Sequence, residues 1–434
     1  MNKTDPVYAA YLALLRGELV PALGCTEPAA IAYAASCARD ALGRVPEKVR
    51  AEVSGNIVKN VKSVIVPNTG GLKGIKAAAA AGIVAGKTER KLEVIAALTT
   101  EGEKAAIRSF LDRTAFEVVM ADTDRVFEIT LTLWGGGSVS RVRIVDSHTN
   151  VVLIEKDGKI LFDGTAQVGD NAGAAALDNA DAADSPLSVA GIIDFASSAD
   201  LEDVRDLIER QIEYNSAISA RGLREDFGAN IGKVLLKNYG TDIKVLAKAA
   251  AAAGSDARMS GCALPVIILS GSGNQGITAS LPVIEYAGEL GSSREELIRA
   301  LLVSDLVTLH LKSGIGRLSA YCGVVSAGAG AGAGISYLKG GRFEEVSHTI
   351  VNALAIVSGI VCDGAKPSCA AKIAAAVDAG ILGGEMYDMG QQFYGGEGLI
   401  VKGVENTIRN ISRLGKEGMR KTDKEIIRIM LEDQ

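Results

Sequence analysis

Cysteine is the residue type in this sequence with the clearest capacity for chemistry. Six cysteines are present, at positions 25, 37, 262, 322, 362 and 369, against only three histidines. In a reducing compartment, cysteines serve more often as buried apolar groups, metal ligands or nucleophiles than as disulfides. We therefore expect the cysteines to mark the functional site, and their surroundings to indicate which of them take part.

Three of the cysteines have a spacing that suits a shared inorganic group. Cys362 and Cys369 flank six residues that include a glycine and a proline, which favours a loop that brings both sulfurs toward one point. Cys322 precedes the small-residue segment 326–334 and could supply a third thiolate. The CxxC spacing and nearby histidine of a zinc site are missing. Three thiolates suit an iron–sulfur cluster with one open iron, and the alternative is three buried cysteines that act as small apolar groups.

Cys25 stands directly before Thr26-Glu27-Pro28, which is typical of the first turn of a helix. The free amides and the dipole at a helix N-terminus favour a thiolate. Cys25 is therefore predicted to be a base or nucleophile, and the alternative is a buried cysteine in a helix cap. Cys37 and Cys262 have no such context, and we assign both to packing.

Two glycine-rich segments partly match nucleotide-binding loops. The segment 82–88 lacks the first glycine of a P-loop and is predicted to end a helix. Residues 271–276 match GxGxxG, but Pro282 is expected to interrupt the helix that should follow, and no βαβ unit is predicted around them. Such a loop could instead bind a small anion such as a carboxylate, or form a plain turn.

The elements around these residues predict an α+β fold, with a mostly helical catalytic domain plus a smaller α/β domain with an antiparallel sheet. Alternating apolar residues at 127–133 indicate a half-buried strand, and glycines at 135–137 indicate a turn into the next one. Further β-like segments are expected at 51–54 and 62–66, ahead of an alanine-rich helix at 72–85.

We divide the chain into four segments on this basis. They are a helical lead-in at 1–45 that packs with the catalytic domain, an α/β domain at 46–170, a linker at 171–185 and a helical iron–sulfur catalytic domain at 186–434. The alternating alanine and glycine residues at 326–334 lack β-branched neighbours. They are predicted to form a helix or loop where backbones pack closely.

Length and composition limit the class of protein. The 434 residues can bury a large core, and the formal net charge of −6 offers no basic field for nucleic acid. The N-terminal residues lack the apolar run of a signal peptide, and the uncharged stretches are broken by Pro and Gly, so we expect a cytoplasmic protein without membrane attachment. The composition is compatible with a homodimer.

Several motifs together resemble the L-cysteine desulfidase family, which is similar to the α chain of iron–sulfur L-serine dehydratases. The motifs are GCTEPAA at 24–30, NIVKN at 56–60, PNTG at 67–70, SGSGNQG at 270–276, CGVV at 322–325 and VCDGAKPSC at 361–369. The resemblance extends over nearly the whole chain. Their joint occurrence in this order is far more specific than any single motif.

The resemblance implies an enzyme with one 4Fe-4S cluster per subunit and no pyridoxal phosphate, which converts the small-molecule substrate L-cysteine to pyruvate, ammonia and hydrogen sulfide. Carried over by position, Cys322, Cys362 and Cys369 would hold the cluster, and Cys25 would be the proton acceptor. No cysteine follows Cys369, so the tail cysteine of some serine dehydratases is missing here. Regulation by a tail thiol is therefore not expected.

Substrate contacts are assigned from residue type and loop position. Ser272, Asn274 and Gln275 are candidates for holding the substrate carboxylate, and Lys59 and Asn60 of the α/β domain are weaker candidates. Three other functions stay open: an L-serine dehydratase with the same cluster, a dinucleotide-binding oxidoreductase built on the glycine loop, and a non-enzymatic iron–sulfur sensor. The sensor would leave Cys25 without a role.

Overall fold

The computed structural model describes residues 1–164 and 186–432, and the predicted linker at 171–185 lies outside them. Within these ranges the chain is mostly helical, with a six-stranded sheet and a separate two-stranded sheet, which confirms the predicted α+β class. The helices are α1 (Pro6–Glu18), α2 (Thr26–Leu42), α3 (Gly55–Val61), α4 (Gly74–Ala85), α5 (Glu101–Arg113), α6 (Val189–Ser198), α7 (Leu201–Arg224), α8 (Ile231–Tyr239), α9 (Ile243–Met259), α10 (Gly273–Glu289), α11 (Arg294–Ser313), α12 (Gly323–Leu338), α13 (Phe343–Val357), α14 (Cys369–Asp388), α15 (Val404–Arg413) and α16 (Arg420–Glu432). The strands are β1 (Pro21–Leu23), β2 (Lys48–Val53), β3 (Ala115–Met120), β4 (Glu128–Gly135), β5 (Ser138–Val145), β6 (Val151–Lys156), β7 (Lys159–Asp163) and β8 (Pro265–Ile267).

The larger sheet has the strand order β3-β2-β4-β5-β6-β7. Four of its neighbouring pairs are antiparallel, as predicted, whereas β2 and β3 are parallel. The chain between those two strands contains α3, α4 and α5, and a parallel pair needs such a long crossover. The strand predicted at 62–66 is wrong. Only Ile65 pairs, in an isolated bridge with Lys73, because the turn at 67–70 folds this segment back on itself.

The two lead-in helices pack in different places. Apolar residues of α1 belong to the core of the helical part, whereas most of α2 is buried against α4 and the sheet. Helix α2 begins at Thr26, as predicted, and ends at Leu42, where Gly43 adopts a left-handed conformation. The domain division itself stays a prediction.

The helical part is built around α12, whose alanine and glycine residues are almost all buried. A Cβ at Gly328 would lie 2.4 Å from the Ala376 carbonyl oxygen, and a Cβ at Gly332 would lie 2.5 Å from that of Gly380. Helices α12 and α14 therefore touch backbone to backbone, which confirms the predicted close packing of the 326–334 segment. This contact fixes the spacing of the two N-termini that carry Cys322 and Cys369.

The GxGxxG loop follows strand β8, which pairs antiparallel with β1. The expectation for Pro282 is wrong, because α10 runs through this residue without ending there. The antiparallel pairing still differs from the parallel βαβ unit of a dinucleotide fold. The pairing places the end of β1, just before Cys25, beside the start of β8.

The other glycine-rich segment forms a helix end. Helix α4 stops at Ala85 with Gly86 as its C-cap, as predicted. Among the helices described, none combines the length and the apolar composition needed to cross a lipid bilayer.

Candidate active site

The structure brings all nine candidate site residues into the lining of one cavity of about 90 Å³. These residues are Cys25, Lys59, Asn60, Ser272, Asn274, Gln275, Cys322, Cys362 and Cys369. They come from both the sheet-bearing part and the helical part of the chain. Cys37 and Cys262 are buried in the two apolar cores, which is consistent with packing. The chemical roles of the nine remain predictions.

Four helices of the described chain begin at this cavity. Cys25, Ser272 and Cys322 are the N-cap residues of α2, α10 and α12, and Cys369 is the first residue of α14. The N-terminus of a helix carries partial positive charge and free amide groups. The converging N-termini therefore favour negatively charged groups, such as thiolates or a substrate carboxylate.

A short backbone bridge holds Cys322 beside Cys362. The Cys362 amide donates to the Ala320 carbonyl at 2.7 Å, and the Cys322 amide donates to the Ile360 carbonyl at 3.2 Å. The interaction between the two thiols lowers the pKa of Cys362 and raises the pKa of Cys322. The nearby Lys59 charge also favours the Cys362 thiolate.

The loop from Cys362 to Cys369 lies directly against α3. A Cβ at Gly364, whose φ is +96°, would lie 2.4 Å from the Lys59 carbonyl oxygen, so only glycine fits there. The Cys369 sulfur lies 3.7 Å from the Gly364 carbonyl oxygen, and burial raises the pKa of this thiol. The loop thus brings Cys362 and Cys369 to the same cavity, as its glycine and proline predict.

The donor set fits an iron–sulfur cluster better than a single metal ion. A single zinc ion requires each sulfur within about 2.3 Å of one point. Residues 1–164 and 186–432 contain no group of three His, Cys, Asp or Glu side chains placed to hold one ion. An iron–sulfur cluster binds each thiolate at a different iron. Three free cysteines around one cavity provide three such ligands.

Burial governs the protonation of Cys25. It raises the pKa of this thiol to about 12, although the Arg258 charge acts in the opposite direction. The helix N-terminus alone predicts a thiolate, but the Cys25 side chain packs against Val64 and Met259, and its sulfur lies 4.0 Å from the Met259 sulfur. The desolvation of the thiolate therefore raises the pKa of Cys25 by more than the helix N-terminus lowers it.

The candidate amides present unpaired oxygens. Asn60 Oδ1, Asn274 Oδ1 and Gln275 Oε1 are buried, and each lacks a hydrogen-bond partner within the part of the chain that the structure describes. Buried polar atoms are almost always paired in folded proteins. Three such acceptors in the lining of one cavity are available to the donor groups of a ligand or of water.

Two buried charged residues of the cavity were missed by the sequence analysis. Glu27 lies two residues after Cys25, and burial raises the pKa of its carboxyl group. Arg258 lies near the end of α9, and its Nε donates to the Gly24 carbonyl at 3.1 Å. A signal was present for both, because Glu27 belongs to the GCTEP motif and Arg258 interrupts an apolar, alanine-rich helix.

Two further cations of the cavity, Lys59 and Arg317, are held by acidic residues. Lys59 Nζ lies 2.5 Å from Asp423 Oδ1 of α16, and Arg317 pairs with Glu18 at 2.7 Å. Lys312 also lines the cavity. Four basic side chains and one acidic side chain therefore line it, and this excess of positive charge offsets the negative charge of thiolates or of a carboxylate.

The comparisons with known proteins agree over the whole chain. Residues 89–428 match the model of the serine dehydratase alpha chain. A UPF0597 protein of Desulfitobacterium hafniense is 61% identical over 99% of this chain and 98% of its own length. UPF0597 proteins of Lachnoclostridium phytofermentans and Treponema denticola are 50% and 46% identical, over 98% and 100% of this chain and 100% of their own lengths. The chain therefore belongs to the serine dehydratase alpha chain family.

Proposed function

We propose that this protein is a lyase that eliminates the β-substituent of a small L-amino acid, with L-cysteine as substrate and pyruvate, ammonia and hydrogen sulfide as products. The proposal is carried by one observation. Three free cysteines, the Cys25 thiol and the unpaired amide oxygens line the same cavity. Family membership supports the lyase class, and the motifs that resemble L-cysteine desulfidases support the sulfur-bearing substrate.

Cys322, Cys362 and Cys369 would hold a 4Fe-4S cluster, which supplies a Lewis-acidic iron for the substrate carboxylate and the departing sulfur. Cys25 accepts the Cα proton as general base, for which its thiol must first lose its own proton. The Arg258 charge stabilises that thiolate. Loss of the Cα proton and the β-sulfur gives aminoacrylate, which tautomerises to an imine and hydrolyses to pyruvate and ammonia.

Anaerobic reconstitution with iron and sulfide tests this proposal. We expect about four irons per chain, a brown protein and pyruvate release that depends on L-cysteine. Cys25→Ala should keep the iron and the colour but lose lyase activity. Cys37→Ala, which removes a cysteine outside the cavity, is the matched control. An iron-free protein that is fully active, or a Cys25→Ala variant with unchanged activity, would contradict the proposal.

L-Serine dehydration is the second candidate, because the matching family model is that of a serine dehydratase alpha chain. A cluster iron can also bind an oxygen leaving group, so the same residues would serve. Parallel assays decide between the two. Pyruvate with equimolar sulfide from L-cysteine supports desulfidation, whereas a much higher kcat/KM for L-serine supports dehydration.

A further inference from the structure

Arg258 and the Glu27–Asn60 pair are buried groups of the cavity to which the elimination chemistry assigns no binding role. We propose that they bind the two ends of an α-amino acid: the Arg258 guanidinium binds the α-carboxylate, and Glu27 with Asn60 binds the α-ammonium. This inference deepens the proposed function and rests on it. It makes Arg258, ahead of Ser272, Asn274 and Gln275, the main side-chain contact of the carboxylate.

Arg258 is a buried cation, and its Nε donates a hydrogen bond to a neutral group, the Gly24 carbonyl. No carboxylate of the described residues forms an ion pair with it. The Arg258 charge acts on the Glu27 carboxyl group without forming an ion pair with it. A guanidinium fork matches a carboxylate through two parallel hydrogen bonds, so Arg258 is suited to bind an anionic ligand in this cavity.

The Arg258 side chain lies directly against helix α10. A Cβ at Gly273, the first residue of α10, would lie 2.3 Å from Arg258 Nε. The guanidinium thus lies against the N-terminus of a 17-residue helix. A carboxylate bound to Arg258 would also meet the free amides of that N-terminus, which favour anions.

Glu27 and Asn60 provide acceptors for a cation. Asn60 Nδ2 donates to Glu27 Oε1 at 3.0 Å, and this bond fixes the orientation of the Asn60 amide. Asn60 Oδ1 is then left buried without a partner in the described chain. An ammonium group has three donors and a positive charge, which match a carboxylate and an amide oxygen.

The two subsites together select α-amino acids with a free carboxylate and a free ammonium. A molecule without either end leaves buried polar groups unpaired, and this loss weakens binding strongly. Three small molecules separate the contribution of the carboxylate to binding from that of the ammonium. L-Alanine carries both ends and no leaving group, propionate lacks the ammonium, and ethylamine lacks the carboxylate.

Ligand-observed NMR titrations of the reconstituted protein provide the test. We expect L-alanine to bind about 10- to 100-fold more tightly than either fragment. Glu27→Gln should lower the affinity for L-alanine by a similar factor and leave the affinity for propionate unchanged. Arg258→Met should lower the affinity for both L-alanine and propionate and leave that for ethylamine unchanged. Arg258→Lys should restore part of the affinity that Arg258→Met loses. Glu128→Gln and Arg39→Lys, which alter buried or paired residues outside the cavity, should change none of the three affinities.

Equal affinity of the wild-type protein for L-alanine and propionate would overturn the inference, even if the variants failed to fold. Glu27→Gln with an unchanged ratio of those affinities would also overturn it, as would variants that weaken all three probes equally. The elimination assay is a separate readout. Discrimination among the probes without pyruvate release would refute the proposed function and leave the amino-acid subsites standing.

Discussion

Gly273 determines how closely the Arg258 side chain approaches helix α10. An added Cβ would lie 2.3 Å from Arg258 Nε, so the guanidinium would have to move. We expect Gly273→Ala to raise the KM for the amino-acid substrate about tenfold or more, because a charge-assisted hydrogen bond contributes about 1.5–3 kcal/mol. Initial-rate kinetics measure this effect. Gly288→Ala in the same helix, where a Cβ would meet nothing within 4 Å, should leave the KM unchanged.

Asp305 of α11 gives the folded protein a pH-dependent stability. Burial raises the pKa of this carboxyl group to about 7, with Gln211 as its hydrogen-bond partner. The folded chain therefore holds this proton to higher pH than the unfolded chain, and the free energy of unfolding falls as the pH rises from about 4 to about 7. We expect Asp305→Asn to flatten that dependence.

Urea unfolding at several pH values between 4.5 and 7.5 measures the effect of Asp305→Asn. The control is Asp378→Asn, since Asp378 forms an exposed ion pair with Lys248. A dependence on pH that is as steep in Asp305→Asn as in the wild-type protein would contradict the assignment.

At the residue scale, the sequence predicts which groups meet but not their protonation. All nine candidates lie in one cavity, because motifs of unusual composition mark them. The pKa of Cys25 departs from the expectation because Val64 and Met259, both distant in sequence, bury the thiol. Glu27 and Arg258 were missed because their local signals, a motif position and a charge in an alanine-rich helix, do not show that the fold buries them in the cavity.

At the element scale, the contact between α12 and α14 depends on glycine. A Cβ at Gly332 would lie 2.5 Å from the Gly380 carbonyl oxygen, and backbone atoms cannot move aside as a side chain can. We expect Gly332→Ala to lower the free energy of unfolding by about 1–3 kcal/mol. Because these helices begin near Cys322 and at Cys369, bound iron should also decrease.

Denaturant unfolding and iron analysis check the Gly332→Ala prediction. Gly102→Ala on α5 is the matched control, because its Cβ would have space and alanine favours a helix by about 1 kcal/mol over glycine. Equal free energies of unfolding for Gly332→Ala and Gly102→Ala would contradict the prediction, because α12 and α14 could then move apart without loss of stability.

Helices and strands are predicted correctly where their signals come from neighbouring residues, and less well where they depend on distant parts of the chain. The start of α2 and the close packing of α12 were predicted correctly, because caps and small-residue patterns are local signals. The strand expected at 62–66 was wrong because sheet pairing depends on a partner elsewhere in the chain. Helix α5 and strand β3 were not predicted, and β3 is mostly exposed and therefore lacks a clear apolar alternation.

At the scale of the whole molecule, an ion pair between Lys59 and Asp423 joins α3 to the last helix. The side chain of Lys59 is only 1% exposed, so removal of its partner would leave a buried charge. We expect Asp423→Asn to lower the free energy of unfolding by about 3 kcal/mol. Asp388→Asn, which alters an exposed pair with Lys339, should cost less than about 1 kcal/mol in the same unfolding experiment.

The distribution of the cavity residues along the chain also bears on how the protein is made. Cys25 and Asn60 leave the ribosome early, whereas Cys362, Cys369 and the Asp423 that holds Lys59 emerge much later. No nascent fragment that ends before α14 contains the complete set of cavity cysteines. Any group that binds all of these cysteines is therefore acquired only after synthesis has passed Cys369.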